Sequence, residues 1–565
     1  MRIADKAMPA WNWARSSARP RWPLDNPLPD HCILVAYKLY TERIAMRPSL
    51  NRRDFLRHTG FGAAALGGAF GLTPRTAAAA EKTLTIAIPN NAGTLDPMNQ
   101  INHDAMAATH MVFENLMVTD QDGELHPQLA AAPPKISDDK LTYWFDLRDD
   151  VAFQNGDKFT AEDVKYSYEY ILDPAHKGVR RGVWTPIRAI TAESPTRVRF
   201  ELSQPYRPLL DYMTKFMGIF PKGSREKHGD DYFRLTPIGV GTGPGIFVEW
   251  QQNDFIGFKR NPNYWRKGLP HWDRLVMRTV PEDAVRVAYL MTDQAQIISA
   301  PAPKDFVRLK TVQGITGASR PGLGCILMIE MNNKKPPFDD PNFRKAVAFA
   351  IDRDGIAKNV FYGMLDASTV PAPPSSWWYD KAAAATLGYD KEKARAFLAK
   401  SKYANAAEFD MNVPAQPYLM DVRDAAVVIQ AQLAEIGIKA NLKFLEPVQV
   451  IQSNINGTHT ASLFPNMGPS DPTYLIQVFY TPDQVQSKSS GYSNPALSEA
   501  VKESFAHNSR DELKPIYAKI QQVLAEDSPN VWLGFPHVAN LWRNEVKGFK
   551  VNTGLTMLVG DVDIA

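Results

Sequence analysis

The sequence predicts a mixed α/β fold. Strand-like and helix-like runs alternate from residue 83 to residue 535. No fixed-period repeat or low-complexity tract interrupts them, and the chain is long enough for two or three compact domains.

The elements follow in order. Residues 83–88 (TLTIAI) alternate and then become continuously apolar, which reads as a strand. Residues 105–117 space their apolar side chains as a helix does. Residues 141–147 and 196–202 alternate as strands. Between them Thr160 stands three residues before Asp163, the arrangement of a capping box, and predicts a helix through Tyr170. Residues 344–351 form a helix with an apolar face. Residues 421–437 form another, with Val427, Val428, Ile429, Leu433 and Ile436 assigned to its buried side. Residues 438–444 read as the strand that follows. Residues 511–524 read as a helix, and residues 530–535 as a buried strand.

The glycine-rich stretch Gly239–Gly245 invites a phosphate-loop reading. Pro244 breaks it, and residues 246–250 continue as a strand where a phosphate cradle needs a helix N-terminus. It is read as a tight turn.

Residues 1–80 differ in kind. Arg52 and Arg53 precede a weakly apolar, Gly- and Ala-rich segment, and Ala77–Ala80 supply small residues for a signal peptidase. No Asp, Glu, Lys or Arg falls between Arg57 and Arg75. The segment is shorter than the ~20 apolar residues that cross a bilayer. Residues 46–80 resemble a twin-arginine signal peptide. Residues 1–45 are read as an over-extended start, with translation beginning at Met46. The expected location is the periplasm.

Removing residues 1–80 leaves 485 residues with 52 basic and 56 acidic side chains, a net charge of −4 in place of +3. Nucleic-acid binding would call for a basic face, which this balance does not supply. Cys32 lies before the leader and Cys325 is alone after it, so no internal disulfide is expected. No Cys follows the apolar segment to carry a lipid anchor.

Chemistry-bearing motifs are sparse. The eleven histidines include no pair at the i, i+3 or i, i+4 spacing of helix-borne metal ligands, and no G-x-S-x-G elbow occurs. Neither a metal, a cofactor nor a catalytic residue is assigned, and an enzyme is not expected. A secreted hydrolase with a cleft carboxylate pair remains the rival reading, beside a receptor or chaperone that kept the fold without transport.

A series of motifs then carries a resemblance. Gly93–Pro97 (GTLDP), Val112–Met117 (VFENLM) and Asp120–Gly123 come first. Leu147–Phe153, Gly156–Val164, Gly241–Pro244 and Arg260–Trp265 (RNPNYW) follow. Phe343–Asp352 and Gly491–Pro495 complete the set. Over residues 82–560 the chain resembles the dipeptide/oligopeptide/nickel-binding family of extracytoplasmic solute-binding proteins, which deliver ligands to ABC importers. The resemblance implies a two-lobed periplasmic-binding-protein fold of type II, cluster C-like, with an extra subdomain in the first lobe. Lobe I would take residues 81–111, 224–320 and 535–565. The extra subdomain would be 112–223, and lobe II 321–534. Partners would be a small peptide or peptide-like solute and the permease/ATPase complex of the inner membrane, with the protein itself a monomer.

The resemblance also places the ligand. Ile101, Asn102 and His103 match a segment that lines the cleft in oligopeptide binders, where backbone groups pair with an extended ligand. Phe464, Asn466 and Met467 would form the cleft wall. Dipeptide binders hold the ligand's ammonium with an Asp just before an acid-Pro pair; here residues 464–470 contain no acid before Asp471-Pro472. They hold its carboxylate with an Arg before Pro-Tyr; here Gln416 precedes Pro417-Tyr418. Burying a zwitterion without partners costs several kcal/mol per ion, so a ligand of little net charge is expected. Asp471 could meet a cation or cap a turn before Pro472. Trp377 and Trp378 could stack on a ring or pack in the core.

Overall fold

The computed structural model describes residues 81–565 except 101–102, 469–470, 483 and 554–556. The leader, the proposed start at Met46, and the candidates Ile101 and Asn102 lie outside the described residues.

A twelve-stranded sheet organises the chain. From one edge its order is Lys439–Leu445, Glu408–Pro414, Ala461–Met467, Cys325–Met331, Asn530–Arg543, Ile297–Ser299, Thr83–Ile88, Arg274–Thr279, Phe255–Arg260 and Gly245–Gln251. Ile315–Pro321 and Leu365–Ala367 also pair with Asn530–Arg543. A separate four-stranded antiparallel sheet, Lys135–Ile136, Thr142–Asp146, Arg197–Leu202 and Ile187–Ser194, packs under the helix Ala161–Leu172.

The strand Asn530–Arg543 belongs to both halves of the large sheet. Its first part pairs antiparallel with Cys325–Met331, from Glu330 opposite Asn530 to Leu327 opposite Gly534. Its second part pairs with Ile315–Pro321, from Pro321 opposite His537 to Ile315 opposite Arg543. The sequence predicts a strand ending at Phe535. Pro536 instead sits where the partner strand changes. It has no N–H to donate, and its carbonyl accepts from the Gly322 N–H (3.0 Å). Gly534 has φ +152, and a Cβ there would lie 2.4 Å from the Asp366 carbonyl oxygen.

Several elements match their expectation closely. Thr83–Ile88 is a strand with parallel partners on both sides. The capping box forms: Asp163 accepts from the Thr160 N–H (2.8 Å) and hydroxyl (2.8 Å) at the start of Ala161–Leu172. Cys325–Met331 is a further strand, beyond those the sequence predicts, and is buried at every position, as suits its near-continuous apolar run. Arg510–Asp527 starts on a second capping box, Ser509 with Glu512.

Two expectations need correction. The helix predicted over 105–117 runs His103–Val112 and stops. Gly243 donates to the Val112 carbonyl (2.9 Å), and the chain turns so that Glu114 points inward. In the helix Arg423–Ala434, Val427 is 53% exposed, while Ala425, Ala426, Ile429 and Leu433 are buried. Val427 lies two residues from Ile429, on the opposite side at ~100° per residue.

The glycine-rich stretch is neither a phosphate cradle nor only a turn. It lets one backbone lie against another. A Cβ on Gly241 would sit 1.9 Å from the Val112 carbonyl oxygen, and one on Gly243 would sit 2.4 Å from that of Met111. Both obstacles are main chain and cannot swing aside. Gly241→Ala is therefore expected to lower stability by at least about 3 kcal/mol, read as a fall in urea midpoint. An exposed glycine with positive φ and free space, such as Gly268, gives a smaller loss on the same substitution.

Candidate functional site

The two halves of the large sheet face each other across a cleft. One wall carries Asn90, His103, Asp104, Arg180, Arg207, Asp211 and Lys215. The other carries Cys325, Tyr418, the strand Ala461–Met467 and the helix Pro472–Tyr480. Tyr418 lines two cavities. One, of about 40 Å3, is bounded by His103, Asp104, Ser299, Cys325 and Asn540. The other, of about 580 Å3, is bounded by Arg180, Phe464, Asn466, Met467, Tyr474 and Gln484.

Hydrogen bonds join the walls. Asn90 Nδ2 donates to the Tyr418 carbonyl (2.9 Å) and to Asp104 (3.0 Å). Lys215 Nζ donates to the Gly468 carbonyl (3.0 Å). Asp211 accepts from the Asp471 N–H (2.7 Å). Arg207 forms a fork with the Asp471 carboxylate, and its Nη2 also donates to Thr473 Oγ1 (2.6 Å) and the Tyr517 hydroxyl (2.8 Å). Tyr212 donates to Gln477 Oε1 (3.0 Å).

Burial sets the protonation of this region. Burial pushes Asp211 up, and neighbouring Asp471 adds to the rise. Burial pulls Lys215 down against the attraction of Asp211. Burial lowers His103 and takes His110 down to about 4. It also raises the Cys325 thiol, which stays protonated. Glu330, enclosed beneath the cleft floor, is pushed up to about 7 by burial. Among the described residues no group of three or more His, Cys, Asp or Glu is placed to hold a metal ion.

The sequence candidates separate on this geometry. Phe464, Asn466 and Met467 share the larger cavity, and Asn466 Nδ2 donates to Glu330 Oε1 (2.6 Å). His103 opens its helix beside the smaller cavity, with Nδ1 4.0 Å from Asp104 Oδ1. Gln416 faces a different cavity, of about 640 Å3, with Glu282, Asp283, Asp421 and Arg423. Asp471 caps the helix Pro472–Tyr480, accepting from the Thr473 N–H (2.8 Å), and is paired by Arg207. The turn-capping alternative matches this geometry, and the carboxylate that could have met a ligand cation is held by Arg207 of the same chain. Trp377 and Trp378 pack against Tyr517, with ring centroids 5.8 and 5.4 Å away. Sequence reasoning missed Arg180, Arg207, Asp211 and Lys215. Each comes from the 112–223 region, whose approach to the far wall no local pattern announces.

Comparison with known proteins agrees with this architecture. The profile of bacterial extracellular solute-binding proteins, family 5 (middle part), matches residues 124–487. The chain belongs to that family. The glutathione-binding protein GsiB of Escherichia coli K12 is 30% identical over 389 residues, covering 69% of this chain and 74% of that protein. The probable di/tripeptide-binding protein 5 of Pseudomonas aeruginosa UCBPP-PA14 is 28% identical over 447 residues, covering 74% and 83%. Among solved structures, the binding protein AgaA from A.tumefacien R10, in complex with agropinic acid, superposes with TM-score 0.78 at 25% identity, covering 86% of this chain and 99% of that one. DppA from Helicobacter pylori in complex with the peptide STSA superposes with TM-score 0.77 at 24% identity, covering 85% and 98%. The two-lobed periplasmic-binding-protein fold is thereby established.

The family motifs acquire physical meaning here. Glu114 of the first helix-end motif is buried and accepts from Thr242 Oγ1 (2.8 Å), the Tyr264 hydroxyl (2.7 Å) and Trp265 Nε1 (2.8 Å). Three motifs far apart in sequence meet on one carboxylate. Asp96 of GTLDP forms a two-bond pair with buried Arg225 (2.6 and 2.9 Å). Arg344 donates to the Phe338, Asp527 and Ser528 carbonyls.

Two outcomes follow from these charges. Arg207→Ala leaves Asp471 buried without its cation and is expected to cost about 2–3 kcal/mol, discounted for the pair's residual exposure, by urea unfolding at pH 7. Glu330 gives a pH signature. Its folded pKa lies above its unfolded value, so its favourable contribution is complete below about 4.5 and is lost as pH rises through about 7. Glu330→Gln keeps an acceptor for Asn466 and removes the ionisation. Its melting temperature relative to the parent rises between pH 5 and pH 8, with a gain of about 1–3 kcal/mol at pH 8.

Proposed function

We propose that this chain is the periplasmic solute-binding component of an ABC importer for peptides or peptide-like solutes, and that it binds by closure of two lobes. One observation carries the reading. The cleft takes its walls from two half-sheets, and among the described residues the main chain passes between them near residues 322–324 and 534–537, where a small rotation would open or shut it. In this reading residues 321–534 are the second lobe and residues 112–223 a subdomain of the first. Ligand closure draws its free energy from contacts made in the shut form alone.

The binding residues in this reading are His103, Phe464, Asn466, Met467 and Tyr418, and the sequence expectation for Ile101 and Asn102 is retained as part of the proposal. Gln416 and Asp471 hold outer positions, one facing a neighbouring cavity and the other latching the walls through Arg207. The names of the relatives, a glutathione binder and a di/tripeptide binder, support a peptide-like guest. The protein acts as a monomer, carries no lipid anchor, leaves by the twin-arginine route on residues 46–80, and releases its guest chemically unchanged.

Native mass spectrometry of protein purified from its host periplasm is expected to show a bound small solute that is recovered with its mass unchanged. Small-angle scattering is expected to show a smaller radius of gyration when that solute is added back to stripped protein. A product of different mass would identify a hydrolase instead, and an unchanged scattering curve with a bound solute would remove the hinge.

A further inference from the structure

We infer that the larger cavity receives an anionic group of the ligand on Arg180, and that the guest is a carboxylic acid without a free ammonium. This rests on the solute-binding reading above and names the chemical class of its guest.

The cavity of about 580 Å3 contains two charged residues among its described lining, Arg180 and Arg181, and no carboxylate. Arg181 is held from below, its Nε donating to the Leu172 carbonyl (2.7 Å). Arg180 is held differently. Its guanidinium lies over the Phe216 ring, 4.6 Å from the centroid, and its Nη1 donates to the Tyr474 hydroxyl across the cleft. Its Nε is buried with no acceptor. The partners of Arg180 are thus a ring face and a neutral hydroxyl. The buried Nε has no acceptor and the half-buried fork faces the cavity without an anion, and a carboxylate is the group that matches a guanidinium with two parallel bonds.

The same walls hold no site for an ammonium. Asp471 is paired with Arg207, and Asp211 accepts from the Asp471 N–H. Asp104 accepts from the backbone and side chain of Asn90. Glu330 accepts from Asn466 and is pushed up to about 7 by burial. Among the described residues, these four cleft carboxylates each already accept a hydrogen bond from the chain. The guest's charge is therefore one-sided: an acid whose nitrogen is acylated or otherwise uncharged.

The test uses the exported protein, stripped of endogenous solute by unfolding and refolding, and isothermal calorimetry. The probes are N-acetyl dipeptides with a free C-terminus, the same N-acetyl dipeptides as C-terminal amides, and unmodified Ala-Ala. The acids are expected to bind, and the amides and Ala-Ala at least about 30-fold more weakly. Arg180→Gln is expected to weaken the acids by at least about 30-fold, with the amides unchanged, and Arg180→Lys to recover part of the loss. Melting temperatures of both variants check that they fold. Amides that bind as tightly as acids, acids indifferent to Arg180→Gln, tight Ala-Ala binding, or no acid bound at all would each overturn the inference. None of these would touch the solute-binding reading, which native mass spectrometry of the host-purified protein decides separately.

Discussion

One fourteen-residue strand, Asn530–Arg543, holds this molecule together. It joins the two half-sheets: its first part pairs with Cys325–Met331 and its second part with Ile297–Ser299 and Ile315–Pro321. Around its midpoint the partner changes, and the chemistry there fits a bend. Pro536 lacks a donor, Gly534 has no Cβ to strike residue 366, and Gly322 closes the crossing with a hydrogen bond to Pro536. The two rigid ends of the strand are buried within their sheets.

The recurring motifs are best understood as nodes of tertiary structure. Glu114, Asp96, Arg225, Arg344 and Arg353 are buried charges or partners of them, and each is met by several hydrogen bonds. Buried polar groups are costly unless satisfied. A network that satisfies Glu114 only when residues 114, 242, 264 and 265 converge selects one arrangement of the chain over its compact competitors. Far from the cleft, Tyr492 (2.6 Å) and Asn494 (2.8 Å) converge on Asp527 in the same manner. These residues shape the scaffold, and the cleft inherits its geometry from them.

The alternating α/β order was legible in the sequence because periodicity is a local property. Thr83–Ile88 and the Thr160 box could be read from neighbours alone. The helix end at Val112 was not, because its cause is a backbone 130 residues away at Gly241–Gly243. Val427 was misplaced by treating a run of apolar residues as a face, where angular spacing decides. At the cleft, Phe464, Asn466 and Met467 fell together because they share one strand. The cations opposite them could not be foreseen, since Arg180, Arg207 and Lys215 belong to a different half and reach the site only through packing. Gln416 lies two residues from Tyr418, yet the intervening turn sends it to another cavity.

The position of the long strand near the C-terminus has a consequence for how the molecule is made. Synthesis proceeds from the other end, so both half-sheets emerge with their innermost neighbour still untranslated. Thr83–Ile88 waits for Ile297–Ser299, and that strand in turn waits for residue 540. Contacts of such long sequence separation form late, after large loops have closed. Until translation ends, nascent intermediates expose unpaired strand edges, the species most prone to associate wrongly. A chaperone that shields those edges would act on the whole chain, and a clone cut before residue 530 would yield two unjoined half-sheets instead of one smaller protein.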